Sequence, residues 1–248
     1  MPLLPPMRLE SVPTTQDVIH ELAEGGAPTG TVVVARRQTG GRGSRGRQWS
    51  APVGGLWLSV LCRPPEEAAI AVLSLRVGLA VAAALEQGRP GIQVRLKWPN
   101  DLLLADRKLG GVLCEARWQG GVPAWVAVGV GINVVNPLPP ELRGAAISLG
   151  EVVPDITPGV VEPAVLSAVR AAGSASGGLT RLELSEYSAR DWLLGRGMAM
   201  PLAGTGAGLA PDGSLLVRLA DGRIEPVRSG TVELADSAAR HRMDRPPT

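Results

Sequence analysis

Lysine is nearly absent from this sequence: of its 25 basic residues only Lys97 and Lys108 are lysine, and they lie eleven positions apart. Histidine is as scarce, with only His20 and His241, which argues against a Ser-His-Asp triad and against a multi-histidine metal site. The two cysteines, Cys62 and Cys114, are too few for a disulfide framework and have no companion in CxxC or Cys/His ligand spacing, so a reducing cytoplasm is expected. Charge of one sign never accumulates. The 25 basic and 23 acidic residues are spread along the chain for a net charge of +2, which leaves no polybasic tail for nucleic acid or a membrane surface. The longest apolar stretch, residues 68–85, is interrupted by Ser74, Arg76 and Gly78 and preceded by Glu66 and Glu67. It reads as a buried helix rather than a membrane span. The opening MPLLPP places prolines where an export signal needs a charged start and a helical apolar core, so none is expected.

What is present is an ordinary globular composition, 248 residues with 45% hydrophobic content, enough for one large domain or a large and a small one. Residues 31–35 (TVVVA) and 56–62 (LWLSVLC) read as buried strands, short, apolar and bounded by glycine or proline. After the 68–85 helix, residues 93–98 read as a strand ending at Pro99-Asn100. Residues 102–105 and 109–118 read as a hairpin around Asp106-Arg107, with another strand at 125–130. Strands and helices interleave, so the fold class is α/β (α+β) with a mixed sheet. Helices are expected at about 160–172 and 179–194, joined by a flexible connection at 173–178 (GSASGG). From Gly195 the grammar changes to short strands, 215–220 and 223–227 around Asp221-Gly222, which reads as a small β-barrel. The expected division is 1–194, 195–236, and a disordered tail at 237–248.

Residues 38–49, QTGGRGSRGRQW, place Arg42, Arg45 and Arg47 among Gly40, Gly41, Gly43 and Gly46. Glycines let backbone N–H groups approach a ligand, and guanidinium groups offer paired bonds to phosphate or carboxylate, so the loop can hold an anion. Gly41, Gly43 and Gly46 also spell GxGxxG, but a dinucleotide-binding turn needs a helix at once, whereas this chain continues WSAPVGG. A solvated arginine loop is the plain alternative. In KWPND (residues 97–101), followed by Lys108, a chain that otherwise uses arginine keeps two ammonium groups. Lysine is a compact charge suited to one oxygen of a phosphate or carbonyl. Asp101 is a carboxylate able to hold Mg²⁺ near phosphates, or simply a turn residue. In GVGIN (129–133), Asn133 can pair with the edge of adenine or end a strand as a turn residue.

Taken together and in this order, GRGSRGRQW, KWPND, DRKLGGVLCE and VGVGIN resemble the motifs of biotin-protein ligases, which attach biotin to a lysine of a carboxylase carrier domain. The resemblance runs over roughly residues 10–235, with four motifs at family-like spacing. It implies a mixed-sheet catalytic domain related to class II aminoacyl-tRNA synthetases, followed by an SH3-like barrel. It also implies two stages: biotin and ATP give biotinyl-5'-AMP and pyrophosphate, and the carrier lysine then attacks the activated carbonyl. By residue, Thr14, Thr15 and Gln16, in the place of the family's Ser-Thr-Asn, would contact the ureido ring with Gln38. Arg42, Gly43 and Ser44 would border biotin and the adenylate, and Lys108 would contact the biotin carboxylate and the phosphate. Lys97, Asn100, Asp101 and Asn133 would serve ATP, Mg²⁺ and adenine, while Trp49, Gly111, Gly129 and Gly131 complete the binding set. Arg42, Arg47, Lys97 and Lys108 would stabilise phosphate charge, and Asp101 would orient or deprotonate the amine.

Two departures stand out. Family members often carry arginine at the position of Ser44, where it helps to retain the adenylate, and Arg45 is expected to point elsewhere. The start is PTTQ rather than DSTN. Some members also carry an N-terminal helix-turn-helix domain. Here the catalytic region begins at about Leu9, so no operator binding is expected. The expected partner is the biotin carboxyl carrier protein of acetyl-CoA carboxylase or a related carboxylase, with no nucleic acid and no membrane, and the expected state is a monomer or homodimer. Two rival readings are a lipoate-protein ligase, with the same fold and adenylation chemistry, and a non-catalytic biotin or nucleotide sensor.

Overall fold

The computed structural model of the chain describes residues 4–64 and 66–235. Two apolar strands, β2 (Val32–Gln38) and β3 (Leu56–Cys62), pair antiparallel at its centre, and every residue of β3 is buried. The other strands of this sheet are β1 (Met7–Val12), β4 (Val94–Lys97), β5 (Asp101–Leu104), β6 (Arg107–Gln119) and β7 (Val122–Ile132). Their order is β1-β2-β3-β7-β6-β5-β4, and β1 alone runs parallel to its neighbour.

Alternation along β7 sorts the two faces. Val126, Val128, Val130 and Ile132 join the main core with α3 (Leu73–Glu86) and α4 (Pro158–Gly173). Ala127, between them, joins Val33 and Leu61 beneath Ile19 and Ala23 of α1 (Thr15–Glu24). The sheet is thus covered on both faces, heavily by α3 and α4 and only in part by α1. What α1 leaves uncovered becomes the cavity described below.

Four expectations shift. The 68–85 helix is two pieces, α2 (Glu67–Ala71) and α3, because Val72 takes φ −103° and ψ 0° and interrupts the helix. The hairpin turns one residue earlier than Asp106-Arg107, at Ala105-Asp106. Both have positive φ, 49° and 58°, the conformation a two-residue hairpin turn requires. The last helix is shortened to α5 (Arg181–Arg190). It starts at a capping box, with Thr180 Oγ1 accepting from Glu183 N and the Glu183 carboxylate accepting from Thr180 N, and it gives way at Asp191. The 173–178 connection is pinned rather than loose. Arg76, only 4% exposed, donates to Gly177 O and Gly178 O and pairs with Glu183 Oε1 at 2.5 Å.

The C-terminal strands are β8 (Gly197–Met200), β9 (Gly204–Leu209), β10 (Leu215–Arg218), β11 (Ile224–Val227) and β12 (Glu233–Leu234). They form a second, antiparallel sheet in the order β11-β10-β9-β8-β12. It leans on the first unit where Trp98 Nε1 donates to Gly213 O at 3.0 Å. Among the described residues, no helix is long and apolar enough to cross a membrane. The expected tail at 237–248 lies outside them.

Candidate active site

Small residues hollow the α1 face of the sheet. β7 carries Gly129 and Gly131 there, and their cross-strand neighbours are Ser59 and Trp57 on β3 and Leu113 and Gly111 on β6. A Cβ on Gly129 would sit 3.0 Å from Gln16 Nε2, and one on Gly131 would sit 3.0 Å from Trp49 Nε1. Glycine at these two positions lets an amide and an indole lie against the strand. The hollow that results is a cavity of about 260 Å³, large enough for a small molecule.

One end of it is an ordered polar array. Thr15 Oγ1 lies 2.7 Å from Ser59 Oγ, and Gln38 Oε1 accepts from Thr15 N at 2.7 Å and from Thr15 Oγ1 at 3.1 Å. That arrangement fixes the Gln38 amide with Nε2 as a donor that has no partner among the described residues. Gln16 Nε2 donates to Leu113 O at 2.9 Å, which leaves Gln16 Oε1 buried with no hydrogen-bond partner among the described residues. Trp49 Nε1 is buried and unpartnered in the same way. A lone acceptor and a lone donor on one cavity wall are costly unless a ligand satisfies them.

The other end is cationic. The loop from Gly40 to Trp49 folds back on itself through Gly43 N to Arg47 O at 2.7 Å and Trp49 N to Gly41 O at 2.8 Å. Arg42 leaves the loop to meet Asp17 and Glu115, whose hydrogen bonds hold its guanidinium more firmly charged. Arg47 donates to Ser44 O and Ser44 Oγ, and Arg45, at φ 61°, reaches away to Gly230 O and Thr231 Oγ1 in the C-terminal unit.

Lys108 is aimed by a bulge. Leu102 pairs with Gly110 but Leu103 with Lys108, so β6 carries one extra residue and Lys108 shares a face with Asp101 and Gly111. Its Nζ lies 2.6 Å from Asp101 Oδ1 and 5.2 Å from the Trp49 ring centre. Lys97, opposite Asp101 on β4, stands 5.3 Å from the Trp192 ring centre. Burial pushes its ammonium below the ordinary lysine range. Asp101 opposes that shift, and the charges of Lys108 and Arg47 add to it. Three cations against one carboxylate make a place for a multiply charged anion.

The sequence-predicted residues Thr14, Thr15, Gln16, Gln38, Arg42, Gly43, Ser44, Arg47, Trp49, Asn100, Lys108, Gly111, Gly129 and Gly131 all line this cavity. Lys97 and Asp101 stand beside its cationic end. Asn100 Nδ2 donates to Val112 O and so braces the start of β5. Asn133 is buried behind the wall; its amide donates to Ile147 O at 3.3 Å and accepts from Asn136 at 3.2 Å. Sequence reading missed Ser59, whose signal was a single hydroxyl inside an apolar strand. It also missed Leu142, which closes the cavity from a proline-rich loop and carries no signal of its own.

The chain resembles known proteins over this same region. The model of the biotin/lipoate A/B protein ligase family matches residues 9–133. The bifunctional ligase/repressor BirA of Bacillus subtilis is 39% identical over 149 residues, 56% of this chain and 44% of that protein. The biotin–[acetyl-CoA-carboxylase] ligase of Mycobacterium tuberculosis is 37% identical over 150 residues, 57% of this chain and 54% of that one. The chain therefore spans about half the length of these curated relatives. A solved biotin protein ligase from Aquifex aeolicus, in complex with biotin and ATP, superposes with a TM-score of 0.79 at 30% identity, covering 93% of this chain and 99% of that one. With half of its length matched by the family model and nearly all of it by that structure, this chain belongs to the biotin/lipoate A/B protein ligase family.

Proposed function

We propose that the chain is a ligase that activates biotin with ATP to biotinyl-5'-AMP and transfers the biotinyl group to a lysine of a biotin carboxyl carrier protein. One observation carries this reading: a single cavity joins a fixed array of amides and hydroxyls at one end to converging cations at the other. A ureido ring has two N–H donors and one carbonyl acceptor. Gln16 Oε1 offers the missing acceptor, and Gln38 Nε2 and the Thr15 hydroxyl offer polar partners. Trp49 and the glycine floor suit the apolar body of the molecule. The valerate carboxylate would then reach Lys108.

In the first stage a carboxylate oxygen attacks the α-phosphorus of ATP and pyrophosphate leaves. In the second the carrier amine attacks the acyl carbon, the bond to AMP breaks, and the amine gives up a proton. Lys108 bridges carboxylate and α-phosphate, Lys97 and Arg47 hold the outer phosphates, and Arg42 faces the acyl-phosphate oxygens. Preformed cations of this kind stabilise charge that grows in the transition state. Asp101 orients the amine. It is also the carboxylate that would hold Mg²⁺. No group of three metal-ligating side chains gathers among the described residues, so the fit is to a magnesium ion that arrives on the nucleotide and neutralises phosphate charge. In this reading residues 1–194 bind biotin and ATP, residues 195–236 form the small β unit, and a reducing cytoplasm keeps both thiols free.

The reading is tested by ATP–pyrophosphate exchange, with biotin and then with lipoate, followed by addition of a carrier domain. Exchange with biotin and transfer to the carrier is the expected result. Exchange with lipoate alone, or binding of biotin with no exchange, would overturn it.

A further inference from the structure

The glycine-rich loop is fastened to the large sheet and its α1 helix through the Arg42 guanidinium, as Arg45 fastens it to the C-terminal unit. Arg42 Nη2 donates to Asp17 Oδ1 at 2.7 Å and to Glu115 Oε2 at 2.9 Å, and Arg42 Nε donates to Glu115 Oε1 at 3.2 Å. The two acceptors stand on different elements, Asp17 on α1 and Glu115 on β6. Behind Glu115 a second tier follows. His20 Nε2 lies 3.3 Å from Glu115 Oε2, and Trp125 Nε1 lies 3.0 Å from His20 Nδ1.

The indole N–H can only donate, so Nδ1 must accept and the imidazole proton sits on Nε2, directed at Glu115. His20 is 5% exposed, which holds the ring in place. Each member of the series Trp125, His20, Glu115, Arg42 thus orients the next. The clamp adds little to folding stability, because the Arg42 and Asp17 side chains are 35% and 48% exposed and pairs of that kind contribute little. What it fixes is direction. Nε and Nη2 are occupied, and among the described residues Nη1 has no partner, on a side chain that lines the cavity.

We infer that Asp17 and Glu115, with His20 behind Glu115, are positioning residues for Arg42. They set its guanidinium, and with it the 40–49 loop, so that Nη1 meets the anionic group of the acyl substrate and of its adenylate. The assignment rests on the function proposed above. Asp17, Glu115 and His20 make no claim on substrate themselves and act through Arg42.

The experiment compares the full chain with Glu115→Gln, Asp17→Asn, Arg42→Ala and the double variant Glu115→Gln/Arg42→Ala. Two readouts are used: the rate at which biotinyl-5'-AMP is released, and hydrogen exchange at the amides of the 40–49 loop in the ligand-free protein. The clamp predicts roughly tenfold faster release in Glu115→Gln, a smaller effect in the more exposed Asp17→Asn, and faster loop exchange in both. It further predicts that Glu115→Gln changes neither readout once Arg42 is alanine. If Glu115→Gln acts equally in both backgrounds, or leaves both readouts unchanged, the clamp is wrong. Loop exchange needs no substrate. A parent protein without biotin-dependent exchange would therefore overturn the proposed function while the loop measurement still decides the clamp, and Asp17→Asn serves where Glu115→Gln does not fold.

Discussion

Lys97 and Lys108 stand near one carboxylate, yet their surroundings differ. Lys108 is closed into an ion pair with Asp101, whereas Lys97 is half-buried beside Trp192 with two other cations in its field. Its ammonium is therefore easier to discharge than an ordinary lysine. The charged form attracts phosphate, so affinity is lost as pH rises through the lowered value, and kcat/KM for ATP should begin to fall below the ordinary lysine value of 10.5. In Lys97→Arg the charge persists to about pH 12 or beyond, and that alkaline fall should disappear. A fall that survives in Lys97→Arg would show that another group controls it. Ser44 makes the second prediction at this scale. It holds Arg47, while Arg45 is committed to Gly230 and Thr231, so neither Ser44 nor Arg45 adds a guanidinium over the cavity. A Ser44→Arg variant should release biotinyl-AMP roughly tenfold more slowly in a quench assay, given one added charge-assisted contact. Equal release rates would refute this.

At the scale of elements, buried Arg76 on α3 pairs with the half-buried Glu183 on α5 and also ties down Gly177 and Gly178. Removing the arginine leaves a half-buried carboxylate and two half-buried carbonyls without their donor. Arg76→Ala should cost about 3 kcal/mol in urea denaturation. A loss below about 1 kcal/mol would mean that water replaces the guanidinium. This joint also explains what could be read from sequence. Apolar strands and the α4 helix announce themselves by period, as β2, β3 and α4 did. The glycines of 173–178 suggested freedom because the arginine that removes it lies about a hundred positions earlier in the chain. β1 went unread for a related reason: it is an exposed edge strand, MRLESV, with no buried run to mark it. The break at Val72 likewise has no proline or glycine to mark it in the sequence.

At the scale of the whole molecule, the cavity was legible because its walls are motifs: the glycine-rich loop, KWPND and the glycines of β7. Asp17, His20 and Glu115 were not, since a helix and a distant strand bring them together only in the folded chain. The scarcity of lysine belongs to this scale too. On the proposed function the chain would make an amine-reactive adenylate and be its own nearest target, and 23 of its 25 basic side chains are arginine, which stays protonated and poorly nucleophilic. Arginine-to-lysine replacements on the surface should raise self-biotinylation, read by mass spectrometry. No increase would remove that explanation of the composition.

The contact of Arg45 with Gly230 and Thr231 has a consequence for how the two sheets communicate. A strap shared between a loop and a separate sheet is a thermodynamic link, and links run both ways. Whatever settles the loop over an occupant also tightens the seat of the small sheet. Whatever loosens that sheet lowers the loop's grip on the occupant.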